Sequence, residues 1–181
     1  EENGRAHFMT KRFDRVPGKQ KIHVQTFCAM RHFDFNEVNV YSYEELFETM
    51  RMLGLSYPEA QELFRRMVFN VMSRNCDDHT KNFAFVMNES GNWHLSPAYD
   101  VCHAYRPGSD WVSQHALSIN GKRKNNTRED LLTVGKRMNI KNTEEMIDKV
   151  SSVVSKWSDY ATAVNVDDQL RDAIGATHLI L

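Results

Sequence analysis

Leu63, Phe64, Met67, Val68, Val71 and Met72 recur at three- and four-residue spacing. That period builds a helix with one apolar stripe and gives a strand no consistent face. Ser56 and Glu59 stand ahead of it as S-x-x-E, and Pro58 falls in the first turn, where proline is tolerated. The helix is expected to run to about Ser73 and to bury its stripe against other elements. Its C-terminal end points at N-C-D-D-H-T-K-N, residues 75–82. This polar cluster could bind a metal, hold a phosphate, or only end the helix and satisfy turn backbone.

The rest of the chain reads as further helices around one small β element. Ser42 and Glu45 form another S-x-x-E box, opening a helix through about Leu53 that Gly54 stops. "NFAFVM" and "NWHLSPAYD" flank "NESG", which predicts a β-hairpin whose far end delivers Asp100. Residues 7–15 predict a strand, 17–20 a turn, and Val24–Arg31 a short helix. Residues 103–126 are loop-rich. Thr127 is expected to cap a helix over 128–138, and Asn142 with Glu145 to open a long one to about Val164. A last helix near 167–174 stops at Gly175. Met146, Ile147, Val150, Val153, Val154 and Trp157 predict a core stripe, and Trp111 and Trp157 are expected as packing anchors. Lys122, Arg123 and Lys124 are expected in a solvated loop. The fold class is α+β, mainly α.

Charge and cysteines exclude more than they assign. The formal charge of −1 gives no global field for nucleic acid or an anionic membrane. No apolar run approaches the roughly 20 residues of a membrane span. Cys28, Cys76 and Cys102 match neither a C-x-x-C pair nor a zinc ribbon, and are expected reduced in a cytoplasmic protein. The chain opens on Glu1-Glu2 and passes almost at once into strand-like "HFMTKRFDRV", so an N-terminal part is expected to be missing.

Asp77 and Asn82 form D-x-x-x-x-N, and Asp100 follows eighteen residues later across the hairpin. Phosphoryl transfer needs such a set: one carboxylate to orient a hydroxyl and take its proton, an amide oxygen and a second carboxylate for Mg²⁺. D-x4-N alone is common; after a helix and before a hairpin ending in aspartate it is more specific. Lys81 could neutralise charge on a transferred phosphoryl group or point to water. His79 could be a base, though holding the loop suits it better, and Asp78 can face away. A metal hydrolase would recruit His79, His94 and His103, whose spacings match no zinc pattern.

"NVMSRNCDDHTKNFAFVM", with "LSPAYDV" and "KRFDR", resembles the C-terminal part of the HipA-like kinases, bacterial serine/threonine kinases often found as the toxin of a toxin–antitoxin pair. The likeness runs from about residue 7 to about 170. It implies a protein-kinase-like C-lobe over 1–181: a hinge strand at 1–15, a mainly helical body over 16–181, and a hairpin bearing the metal-binding aspartate. It implies Asp77 as catalytic aspartate, Asn82 and Asp100 as Mg²⁺ ligands, and His79 and Lys81 as further catalytic-loop positions. Thr10, Lys11, Arg12 and Phe13 fall where the family's backbone passes the adenine of ATP. Asp14 and Arg15 suit a structural role.

Two features depart from general protein kinases: Asn75-Cys76 precedes the catalytic aspartate, and Asp100-Val101-Cys102 replaces Asp-Phe-Gly. No glycine-rich phosphate loop or V-A-I-K-like lysine appears, so the N-terminal lobe is expected to be absent and the isolated chain nearly inactive. The implied partners are ATP, a protein substrate and an antitoxin, with no direct nucleic acid and no membrane. The alternative is a kinase-like docking module that binds an antitoxin or regulator without chemistry.

Overall fold

The computed structural model describes residues 7–15, 18, 21–37 and 39–181. Seven helices and three strands occur among them. Helix α1 spans Phe27–Met30, α2 Tyr43–Met52, α3 Tyr57–Ser73, α4 Arg128–Arg137, α5 Thr143–Val154, α6 Trp157–Ala163 and α7 Asp168–Gly175. Strand β1 spans His23–Thr26, β2 Ala84–Met87 and β3 Trp93–Leu95.

The caps form as the sequence chemistry requires. Ser42 Oγ accepts from the Glu45 amide while Glu45 accepts from the Ser42 amide, starting α2. The Glu59 carboxylate takes the Ser56 amide and hydroxyl at the start of α3. Thr127 and Asp130 form the same reciprocal pair ahead of α4. Gly54, at φ +70°, lets the chain leave α2, and the Leu55 amide closes on the Met50 carbonyl at 3.0 Å.

Helix α3 is the axis of the molecule. All six residues of its stripe are buried, and α5 packs along it. Helix α4 reaches this pair at Gly135, where a Cβ would fall 2.5 Å from Thr143 Cγ2 and 3.0 Å from the Phe64 ring. Only glycine permits that approach. The end of the chain returns to α3, with the Leu179 amide donating to the Met72 carbonyl at 2.9 Å.

The hairpin is part of a three-stranded antiparallel sheet in the order β1-β2-β3, with Val24 opposite Val86 and Phe85 opposite Leu95. The helix expected over 24–31 is therefore half strand. Val24 and Thr26 fit a pleated, half-buried surface, and β2 offers its free edge. Only Phe27–Met30 turn helically, capped by Thr26.

Other expectations change in definite ways. Residues 7–12 form no strand, and Arg15 makes only a single bridge to Lys21. Among the described residues the one other backbone bond to the 7–15 stretch runs from the Ile22 amide to the Asp14 carbonyl, and a strand needs continuous pairing. The turn expected at 17–20 lies outside the described residues except for Gly18. The long helix to Val164 breaks at Ser155–Lys156: Trp157 leaves the stripe to donate its Nε1 proton to the Arg171 carbonyl at 2.8 Å. Val153, on the expected core stripe, is exposed. Asn142 adopts φ +57° and makes no side-chain cap, so the expected box does not form there. Trp111 is 71% exposed and anchors no core.

The basic run is not simply solvated. Lys122 pairs with Asp130 at 2.8 Å, and Arg123 donates to the carbonyls of Ala116 and Tyr41. No helix among the described residues is long and apolar enough to cross a membrane.

Candidate functional site

Helix α3 ends because Arg74 takes a left-handed conformation, φ +60°, and the Asn75 amide turns back to the Asn70 carbonyl. The chain then crosses the molecule as the loop Asn75–Asn82. Successive residues face opposite ways: Asp77 is half-exposed while Asp78 is buried.

Asp78 anchors the loop. Its carboxylate accepts from the Tyr43 hydroxyl at 2.7 Å, the Ala116 amide at 2.8 Å and His115 Nδ1 at 2.9 Å. Asn70 donates to Tyr43, and Asn75 donates to Asn70, so the network returns to the end of α3. Burial pushes the His115 imidazole down, but the charge and hydrogen bond of Asp78 outweigh it and raise it to about 10. Asp78 thus holds His115 toward its protonated form. Sequence reading gave His115 no role, and left Asp78 to face away, to satisfy turn backbone at the helix end, or to take a direct part in the site. The signal was the alternation of an exposed and a buried acid in D-D, which needs the tertiary partner to be read.

The candidate residues sit on the outer side of this frame. Asn82 Nδ2 donates to the Asp77 carbonyl at 2.8 Å, which leaves its Oδ1 without a partner among the described residues. His79 Nδ1 accepts from the Lys81 amide at 3.3 Å, and its Nε2 stands 3.9 Å from Asp77. Lys81 lies over the Phe35 ring with Nζ 3.4 Å from the centroid. Burial raises the Asp77 carboxyl; His79 opposes this, and the charges of Asp100 and Asp78 add to it.

The hairpin brings Asp100 to the loop by a chain of contacts. Glu59 at the start of α3 accepts the Leu95 amide at 2.8 Å, and Arg66 donates to the Ser96 carbonyl at 2.9 Å. From there P-A-Y-D runs back across α3. The Tyr99 hydroxyl donates to the Lys81 carbonyl at 2.6 Å. Asp100 follows at φ +52°, exposed, with no hydrogen bond or ion pair among the described residues.

Thr10, Lys11, Arg12 and Phe13 line a cleft of about 750 Å³ together with Tyr99 and Asp100. The Phe13 and Tyr99 rings meet at 6.0 Å. Arg12 grips Asp14 through two hydrogen bonds, and Arg15 joins them. Arg12 hydrogen-bonded to it is the main reason the Asp14 carboxyl lies below its ordinary range.

Among the described residues no three His, Cys, Asp or Glu side chains gather as a metal-ligand set. His94 stands by Glu59 on the hairpin, and His103 by Thr177 after α7, so neither joins His79. The chemistry available is that of an oxygen-donor group: two carboxylates and an amide oxygen on one loop and its hairpin.

A family model described as the HipA-like C-terminal domain matches residues 1–157. "Putative kinase Y4dM" of Sinorhizobium fredii (strain NBRC 101917 / NGR234) is 33% identical over 95 residues, covering 50% of this chain and 22% of that protein. A chain of the solved "Shewanella oneidensis MR-1 Toxin Antitoxin System HipA, HipB and its operator DNA complex" superposes with a TM-score of 0.67 at 20% identity. That match covers 92% of this chain and 44% of that one, and at this identity it is a likeness of fold. The chain spans less than half the length of either relative. It belongs to the HipA-like C-terminal domain family.

Proposed function

We propose that this chain is the C-terminal lobe of a serine/threonine protein kinase that transfers the γ-phosphoryl group of ATP to a protein hydroxyl. Tyr99 carries the reading. Its bond to the Lys81 carbonyl ties the hairpin to the loop and so keeps Asp100 beside Asn82 and Asp77. The named kinase relative and the family match support it.

In this reading Asp77 accepts a hydrogen bond from the substrate hydroxyl and takes its proton as the oxygen attacks. The new bond joins that oxygen to the γ-phosphorus, and the bond to the β–γ bridging oxygen breaks in line, releasing ADP. Asn82 Oδ1 and the Asp100 carboxylate suit a hard cation, since both are oxygen donors left open among the described residues. Mg²⁺ held there would neutralise charge on the β- and γ-phosphates. Thr10–Phe13 pass the adenine with their backbone groups, in the cleft that Asp100 also lines. An antitoxin is the proposed regulatory partner, by likeness to the toxin–antitoxin complex.

The test is Mg²⁺-dependent ATP binding by calorimetry, on this chain and on a polypeptide extended upstream through an N-terminal lobe, with Asp100→Asn in the longer form. Binding by the longer form that Asp100→Asn abolishes supports the kinase. Binding by neither would make the loop architecture alone and give the docking-module reading the lead.

A further inference from the structure

We infer that the groove on the acceptor side of the Asp77 loop receives a segment of the substrate protein that carries basic side chains beside its hydroxyl. The inference rests on Asp77 being the base.

A groove of about 350 Å³ has Asp77 and His79 in its lining, whereas Asn82 and Asp100 together line a different cavity. The candidate base therefore lines one space, and the candidate cation ligands share another. Phe35 stands in one wall, held by the His79 edge at 4.9 Å and by Lys81. Trp111 stands in the other, on a turn where Ser109 Oγ accepts the amides of both Trp111 and Val112 at 3.3 Å. Gln114 donates to Asn39 at 3.1 Å and links the two walls. An aromatic ring of this size, mostly exposed on a fixed turn, is a contact surface that brings little ordering cost on binding.

Charge selects the occupant. Glu37 and Asp110 line the groove with Asp77, and neither Glu37 nor Asp110 makes a side-chain hydrogen bond or ion pair among the described residues. Among the described residues no lysine or arginine lines it. The His115 imidazolium in its wall is already matched by Asp78. An arginine or lysine beside the acceptor hydroxyl can pair with Glu37 or Asp110 and lie on the Trp111 face. An acidic segment meets three like charges.

The experiment uses the chain extended upstream as above and two fluorescein-labelled serine peptides, one flanked by arginine and one by glutamate, read by anisotropy. The arginine peptide is expected to bind roughly tenfold tighter or better. Glu37→Lys with Asp110→Lys is expected to invert the order, and Trp111→Ala to weaken the arginine peptide roughly tenfold. Thermal unfolding and ATP affinity serve as fold controls and stay unchanged. Equal binding of the two peptides, or an order that survives charge reversal, overturns the inference. Charge-selective binding without phosphorylation of the bound peptide leaves the groove standing and removes the kinase reading. Phosphorylation indifferent to flanking charge does the reverse.

Discussion

The Asp78 carboxylate lies 2.9 Å from His115 Nδ1, and both side chains are closed off from water. Two charges taken from water tolerate each other only while both are present and otherwise hydrogen-bonded. Here Tyr43 and the Ala116 amide complete the carboxylate, so the pair fixes the position of the loop that carries Asp77.

Removing one partner strands the other. His115→Ala is expected to destabilise the fold by about 3–5 kcal/mol, measured by urea unfolding at neutral pH. A loss under 1 kcal/mol in that titration would mean the pair is not charged.

The same pair sets a pH window. An unfolded histidine titrates near 6.5, whereas His115 is raised to about 10 in the fold. The folded state therefore holds a proton that the unfolded state gives up. The pair's contribution is complete below about 6.5 and is lost as pH rises toward 10. Unfolding midpoints should fall across that range in the parent and stay flatter in His115→Gln.

Gly135 separates packing from propensity. Alanine normally favours a helix, by about 1 kcal/mol over glycine. At this position its methyl would overlap Thr143 and Phe64. Gly135→Ala should therefore destabilise, by roughly 1–3 kcal/mol on thermal unfolding. A rise in melting temperature would show that α4 can shift.

Tyr99→Phe removes only the hydroxyl that reaches Lys81. The expected stability cost is about 1 kcal/mol. Mg²⁺-dependent nucleotide affinity should fall as well, because Asp100 loses its neighbour's anchor. Burial and the Asp100 charge push the Tyr99 phenol up to about 12, so it remains a donor through pH 10 and the effect should not vary with pH below that.

Asp77→Asn and Asp100→Asn should separate in the upstream-extended polypeptide. The first is expected to keep ATP affinity and lower phosphotransfer by at least about 10²-fold. The second is expected to lose Mg²⁺-dependent binding itself. Equal loss of binding in both would assign Asp77 to the cation rather than to the proton. Residues 1–181 alone are expected to show nearly no transfer.

Local chemistry settled a good part of this protein in advance. The caps at Ser42, Ser56 and Thr127, the stripe on α3, and the hairpin around "NESG" are short-range events, governed by side-chain hydrogen bonds and apolar spacing that a linear reading contains. The cluster at 75–82 and its relation to Asp100 were legible for the same reason, since a helix, a loop and a hairpin bound how far apart they can lie. Tertiary structure alone decided the rest. Strand β1 exists because β2 offers an edge. The chain breaks before Trp157 because α7 takes its indole. His115 is held toward its protonated form because Asp78 faces it across 37 residues. Each depends on which distant group supplies the partner, and the energy of a buried pair or a strand edge has no value until that partner is in place.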